Sequence, residues 1–188
     1  MSLTTFINSN ETLKSAQELV FFAGSFNPWH SGHSSCVELL PNEKVLIVAP
    51  DHNPFKELVA KKHCDLSFIE KEILTKREHA FIFDGFLALN KKNPTSAWIS
   101  ELKTEFAHKD LSLLLGFDSF ASIDRWTNAE DLLNKLSNLY VASRMDDPSI
   151  KEEQVLRLKQ IAPNLNIVFL GRHPHEEVSS TKLRQKLD

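Results

Sequence analysis

Residues 21–33 read "FFAGSFNPWHSGH", an apolar run, a turn and a helix start within thirteen positions. Gly24 closes the apolar run, and Pro28 sits in the turn, unable to donate a backbone hydrogen bond. His30 and His33 then fall at or just inside the start of a helix running toward Leu40. Such a helix start presents unpaired N–H groups and partial positive charge, which favours an anion. Two imidazoles three positions apart share one side of the first turn, so backbone and histidines together could grip a phosphate.

The same alternation continues along the chain. Short runs rich in Val, Ile, Leu and Phe recur at 19–24, 44–50, 79–85, 111–118, 139–143 and 166–171. Each is strand-length and closes mostly on small or turn-forming residues, as strands buried on both faces do. Between them lie stretches with helical spacing. "CDLSFIEKEILTKR" places Leu66, Ile69, Ile73 and Leu74 on one face, and "SIKEEQVLRLKQI" places Ile150, Val155, Leu158 and Ile161 on another. Strand then helix, repeated, predicts right-handed crossovers and a doubly wound, Rossmann-like parallel α/β sheet of five to six strands with helices on both faces. Ligands of such sheets bind beyond the carboxyl ends of the strands, so functional residues should follow the strands.

Bulk properties narrow the function. At 188 residues the chain suits one domain spanning 1–188, with 1–18 as an N-terminal extension, partly loop or short helix. The net charge of −3 and the scattered Lys and Arg give no basic stripe for polymeric nucleic acid. Any phosphate ligand is therefore expected to be small. Cys36 and Cys64 form no disulfide framework and suit a reducing cytoplasm. No run approaches a membrane span, and the N-terminus lacks the basic and apolar regions of a signal peptide.

Three further readings of the histidine turn compete with phosphate binding. His30, His33 and Cys36 have i, i+3, i+6 spacing on one helical face, as metal ligands would, but no carboxylate stands among them. The histidines could instead cap the helix and bond locally. A dinucleotide fingerprint fails, because neither GxGxxG nor a Walker loop is present. At the other end of the chain, "VSSTKLRQKL" places Ser179, Ser180 and Thr181 as N-cap residues, with Arg184 three positions after Thr181 on the same face. Alone this is an ordinary capped helix. Beside the first motif it reads as a second phosphate-facing helix start.

"GSFNPWHSGH" resembles the signature of the HxGH nucleotidylyltransferases, and its Gly-Ser-Phe-Asn-Pro opening is most similar to nicotinate or nicotinamide mononucleotide adenylyltransferases. The resemblance runs from about residue 19 to 188, in order. It covers the loop ending in Lys56, the "LLGFDSFASIDRW" stretch with Gly116, Asp118 and Trp126, the strand leading to Arg144, and the "SSTKLR" signature. The chain departs from that pattern at Ala23, where the family often has a second Gly, and over "NPTSAWISEL" (93–102), which keeps only Ile99 and Leu102.

This resemblance implies transfer of AMP from ATP to nicotinate or nicotinamide mononucleotide, releasing pyrophosphate and forming an NAD-type dinucleotide. The residues it implies as catalytic are His30, His33, Lys56 and Arg184. ATP would meet Gly24, Ser25, Phe26, His30, His33, Gly116, Asp118, Ser179, Ser180, Thr181 and Arg184; the acceptor would meet Ser25, Lys56, Trp98, Trp126 and Arg144. Mg²⁺ would ride on the ATP phosphates, with no metal ligands from the protein. ATP and a pyridine mononucleotide would be the small-molecule partners, with neither nucleic acid nor membrane, and a homo-oligomer stays open. The alternatives are a pantetheine-phosphate adenylyltransferase, a cytidylyltransferase-like enzyme, or a nucleotide-binding regulatory module without turnover.

Overall fold

The computed structural model describes residues 1–51, 64–89, 92–143, 147–172, 175 and 178. All six expected strands are present: β1 (Glu18–Gly24), β2 (Leu46–Pro50), β3 (Ala80–Ile82), β4 (Asp110–Gly116), β5 (Asn138–Ser143) and β6 (Asn166–Arg172). They form one sheet in the order β3-β2-β1-β4-β5-β6, every neighbouring pair parallel. Val20 pairs with Leu46 on one side and Ser112 on the other, so the chain starts in the middle and winds outward both ways. The reversal of direction between β1 and β4 is where such a sheet opens a crevice.

Successive β1 side chains feed opposite layers, as a strand buried on both faces requires. Phe21 joins Leu113, Ile99 and Leu133 on one face, while Val20 and Phe22 join Val48, Leu114, Val37 and Ile73 on the other. The first layer is covered by α5 (Thr95–Glu105) and α7 (Ala129–Lys135), the second by α3 (Ser31–Leu39) and α4 (Leu66–Leu74). The first 18 residues contribute α1 (Leu3–Asn8) and α2 (Glu11–Ser15), which bury Leu3, Ile7 and Leu13 in the first layer. Ser2 and Asn10 cap them, accepting from the Thr5 and Leu13 amides at 3.1 and 3.2 Å. The short α6 (Phe117–Phe120) follows β4, and α8 (Pro148–Ile161) precedes β6. Among the described residues, no helix is long and apolar enough to cross a membrane.

Two helical faces differ from the sequence reading. Leu74 is 50% exposed, because Ile69 and Ile73 already set the buried stripe and the next residue turns about 100° away from it. On α8, Ile150 is 44% exposed while Gln154 is buried. The Gln154 amide donates to the Phe120 carbonyl and to Asp124 Oδ1, both at 2.9 Å, so a polar anchor takes the place of an apolar one.

Away from the crevice, at the amino end of the sheet, Glu18 accepts from Lys44 Nζ (2.7 Å), Ser112 Oγ (2.6 Å), Asn138 Nδ2 (2.7 Å) and Tyr140 Oη (3.1 Å). Burial raises the carboxyl pKa, but these donors and the Lys44 charge outweigh it and hold the group below its ordinary value. A carboxylate with a depressed folded pKa contributes stability above its unfolded value, and that stability is lost as pH falls through the folded one. Glu18→Gln should cost about 1–3 kcal/mol at neutral pH and leave the denaturation midpoint less steep below pH ~4.5. Urea titrations of both proteins across that range check this, and parallel acid limbs would contradict it.

Candidate active site

Gly24 ends β1, and the chain turns through Ser25 to His30 before α3 begins. A Cβ at Gly24 would come within 2.9 Å of the Phe26 ring, so only glycine lets that ring tuck back against the strand. Phe26 itself adopts φ +41, a left-handed conformation that a bulky residue holds only when its surroundings enforce it. Its ring packs 5.0 Å from Phe22 and 4.9 Å from Trp29. Phe26 is 3% exposed and is not among the residues lining the cleft, so its ring serves to shape the turn.

His30 caps α3 in an extended conformation, and its backbone N–H donates to His33 Nδ1 at 3.3 Å. A neutral His33 whose Nδ1 accepts must carry its proton on Nε2, which fixes the ring's remaining donor. The two imidazoles stack at 3.7 Å with planes 22° apart. Gly32 makes that stack fit, since a Cβ there would lie 3.0 Å from His30 Nδ1. The carbonyl of His175 lies 3.4 Å from the same point, which places that residue against the histidine turn.

The stack also answers the metal reading. Imidazole lone pairs lie in the ring plane, and two nearly parallel planes this far apart cannot both aim at one ion about 2 Å away. His33 Nδ1 is further committed to the backbone. Cys36 is buried in the layer beneath, and among the described residues no group of three His, Cys, Asp or Glu is placed to hold a metal.

Beside this turn a cleft of about 330 Å³ opens at the carboxyl ends of β1, β2 and β4. Gly24 and Ser25 line it from β1, Asp51 from β2, Asp118 and Ser122 from the segment after β4, Asn93 to Ser96 from the start of α5, and Trp126 from a 3₁₀ turn's end. The Asp51 amide donates to the Gly24 carbonyl at 2.8 Å, continuing the β1–β2 ladder into the site. Its carboxylate accepts from Asn93 Nδ2 at 2.8 Å and so ties the segment before α5 to β2. Asp51, Asn93, Thr95 and Ser96 were missed as individual site residues in the sequence. Asp51 could have been found, because it follows β2 as Ser25 follows β1.

The expected residues divide into four groups. Gly24, Ser25, Asp118 and Trp126 line the cleft, and His30 and His33 stand at the adjoining turn. Gly116 ends β4 at the start of α6, where a Cβ would meet nothing within 4 Å, so it borders open space rather than a tight approach. Trp98 is a correction: it is 4% exposed, 5.1 Å from Phe21 and 5.6 Å from Phe86, in the core. Its position on α5 turns it toward the sheet, while Thr95 and Ser96 one turn earlier face the cleft. Lys56, Arg144, Ser179, Ser180, Thr181 and Arg184 lie outside the described residues.

No protein-family model matches the chain. Solved structures of Plasmodium falciparum nicotinic acid mononucleotide adenylyltransferase share the fold. The one complexed with NaAD superposes at TM-score 0.66 with 17% identity, covering 90% of this chain and 83% of that one. The one complexed with APC gives 0.64 at the same identity and coverage. Curated relatives carry the comparison further. A "Probable nicotinate-nucleotide adenylyltransferase" of Sulfurimonas denitrificans is 28% identical over 174 residues, covering 90% of this chain and 85% of the relative. One of Rhodopirellula baltica is 28% identical over 194 residues, covering 95% and 86%. The chain is a relative of the nicotinate-nucleotide adenylyltransferases. The histidine turn and the cleft lie at the carboxyl ends of the strands in the fold that these structures share.

Proposed function

We propose that the protein transfers the adenylyl group of ATP to nicotinate mononucleotide, forming an NAD-type dinucleotide and releasing pyrophosphate. The observation that carries this reading is the juxtaposition of stacked histidines at the start of α3 with a cleft lined by Trp126 and two carboxylates. No nucleophilic side chain is required. Transfer of this kind depends on alignment and on stabilising developing charge.

In this reading a 5′-phosphate oxygen of the acceptor attacks the α-phosphorus of ATP in line, and the bond to the bridging oxygen breaks toward pyrophosphate. His33 Nε2–H donates to the group in transfer and His30 supports it. Ser179, Ser180, Thr181 and Arg184 hold the departing phosphates, and Lys56 and Arg144 supply charge at the acceptor side. Asp118 receives a ribose hydroxyl or base N–H, and Trp126 stacks on the pyridine ring. The first turn of α5 opens on the cleft at Thr95 and Ser96, and a helix N-terminus there suits the pyridine carboxylate. Mg²⁺ brought in with ATP would supply charge compensation for the departing pyrophosphate.

One chromatographic assay tests the assignment, using ATP and Mg²⁺ with nicotinate mononucleotide, nicotinamide mononucleotide or phosphopantetheine. A dinucleotide formed fastest from nicotinate mononucleotide supports it. Turnover of phosphopantetheine alone would move the protein to the neighbouring enzyme, and ATP binding without turnover would support a regulatory module.

A further inference from the structure

The aromatic wall behind His33 is tied to the protein surface by a directional hydrogen-bond chain. The Trp29 indole N–H donates to Ser34 Oγ at 2.9 Å. An indole can only donate, so Ser34 must accept, and its single hydroxyl proton goes to Glu72 Oε2 at 3.2 Å. Lys76 Nζ then bridges Glu72 at 3.3 Å and Glu38 at 3.1 Å. Ser34 belongs to α3 and Glu72 to α4, and the chain ends in a groove of about 230 Å³ between those helices.

At its inner end the chain holds an indole that is 5% exposed. Trp29 lies 5.1 Å from the His33 ring and 4.9 Å from Phe26, which is itself 5.0 Å from His33. The backbone bond to His33 Nδ1 is long, at 3.3 Å, so the plane of the imidazole is set by this wall as much as by that bond. Without Ser34 the buried indole N–H would be orphaned, and without Glu72 the Ser34 hydroxyl would lose the acceptor that holds its lone pair toward the indole, so in either case the ring is less firmly held.

We propose that Glu72 is a positioning residue for adenylyl transfer, acting through Ser34 and Trp29 to hold His33 Nε2 toward the group in transfer. This rests on the reading that His33 meets that group. Small misplacements of a catalytic donor are costly, so losing the chain should lower kcat about tenfold while leaving ground-state binding alone.

The test combines kinetics with NMR on the intact protein well below its melting temperature. E72A and S34A should each lower kcat about tenfold with both KM values within twofold of the parent. E72Q, whose amide oxygen can still accept from Ser34, should recover most of the loss. The double variant S34A/E72A should be no worse than S34A, because both act on one path. K76A, beyond the chain's end, should match the parent. The indole N–H resonance of Trp29, assigned with W29F, and the Cε1–H resonance of His33 should move in E72A and S34A but not in K76A. A His33 resonance that stays in place, an unchanged kcat, losses that multiply in the double variant, or E72Q as impaired as E72A would each overturn the proposal. The NMR arm also separates two failures: if the parent turns over no pyridine mononucleotide, the functional reading fails while the resonances still judge the positioning.

Discussion

Replacing His33 with alanine lowers turnover by two to three orders of magnitude and moves the melting temperature by only a few degrees. The first half follows from the ring's single remaining donor. With Nδ1 accepting from the His30 amide, a neutral ring carries its proton on Nε2, and the turn that holds it adjoins the cleft. Removing one preorganised donor from a site where charge develops costs about 10²–10³ in rate. The KM for ATP should change little, since the interaction strengthens only as the phosphoryl oxygens gain charge. The second half follows from packing. His33 is half-buried, and Phe26, Trp29 and Phe22 contact one another without it. Its loss should cost about 1 kcal/mol, or 2–4 °C in a chain of this size. Retained turnover with a large fall in melting temperature would make His33 a packing residue instead.

Replacing Arg77 with leucine removes roughly 3 kcal/mol of stability. The guanidinium is 5% exposed and donates to the carbonyls of Leu40 (2.7 Å), Pro41 (2.5 Å) and Lys44 (2.7 Å), with Val37 at 3.4 Å. It therefore closes the carboxyl end of α3, where the last carbonyls lack partners within the helix and the dipole favours a cation. Burial pulls the arginine pKa down, and the Glu43 charge partly opposes this, but a guanidinium stays charged at any pH the protein meets. Leucine fills the space and takes the guanidinium from the Leu40 and Lys44 carbonyls, while Pro41 keeps the Lys44 amide at 3.1 Å; the cost is about 1–3 kcal/mol for each carbonyl that finds no water. Arg77→Lys should recover less than half of the loss, because one ammonium cannot reach carbonyls spread around a planar fork. Urea denaturation measures both, and a loss below about 1 kcal/mol for leucine would show that relaxation or water satisfies the carbonyls.

Much of the sheet was legible in the sequence because a strand buried on both faces is apolar along most of its length, with Glu18, Ser112 and Asn138 gathered at the amino end of β1, β4 and β5. That constraint marks β1, β2, β4 and β5 without knowledge of their neighbours, and the turn after β1 is local chemistry of Gly24, Pro28 and His30. Side-chain direction on helices was harder to read. Trp98 sits in a segment that does reach the cleft, yet its position on α5 points it to Phe21 and Phe86 in the core. Ile150 satisfies a helical period, but Gln154 takes the buried place through bonds to Phe120 and Asp124, residues 30 or more positions away in sequence. The same limit hid Asp51–Asn93 and Ser34–Glu72, whose partners are 42 and 38 positions apart. Period and spacing report what a residue does within its own element. Contacts between elements appear only once the sheet order brings β2 beside β1 and α4 beside α3.

In the proposed reaction the adenylyl group passes directly, in line, from ATP to the mononucleotide with no covalent intermediate on the protein. ATP labelled with ³²P at the α or γ position, mixed with Mg²⁺ and nicotinate mononucleotide, follows the atoms themselves. The α label should appear in the dinucleotide, the γ label in pyrophosphate, and neither on the protein after rapid acid quench. An α label retained on the protein, or a γ label found on the mononucleotide or as inorganic phosphate, would contradict it.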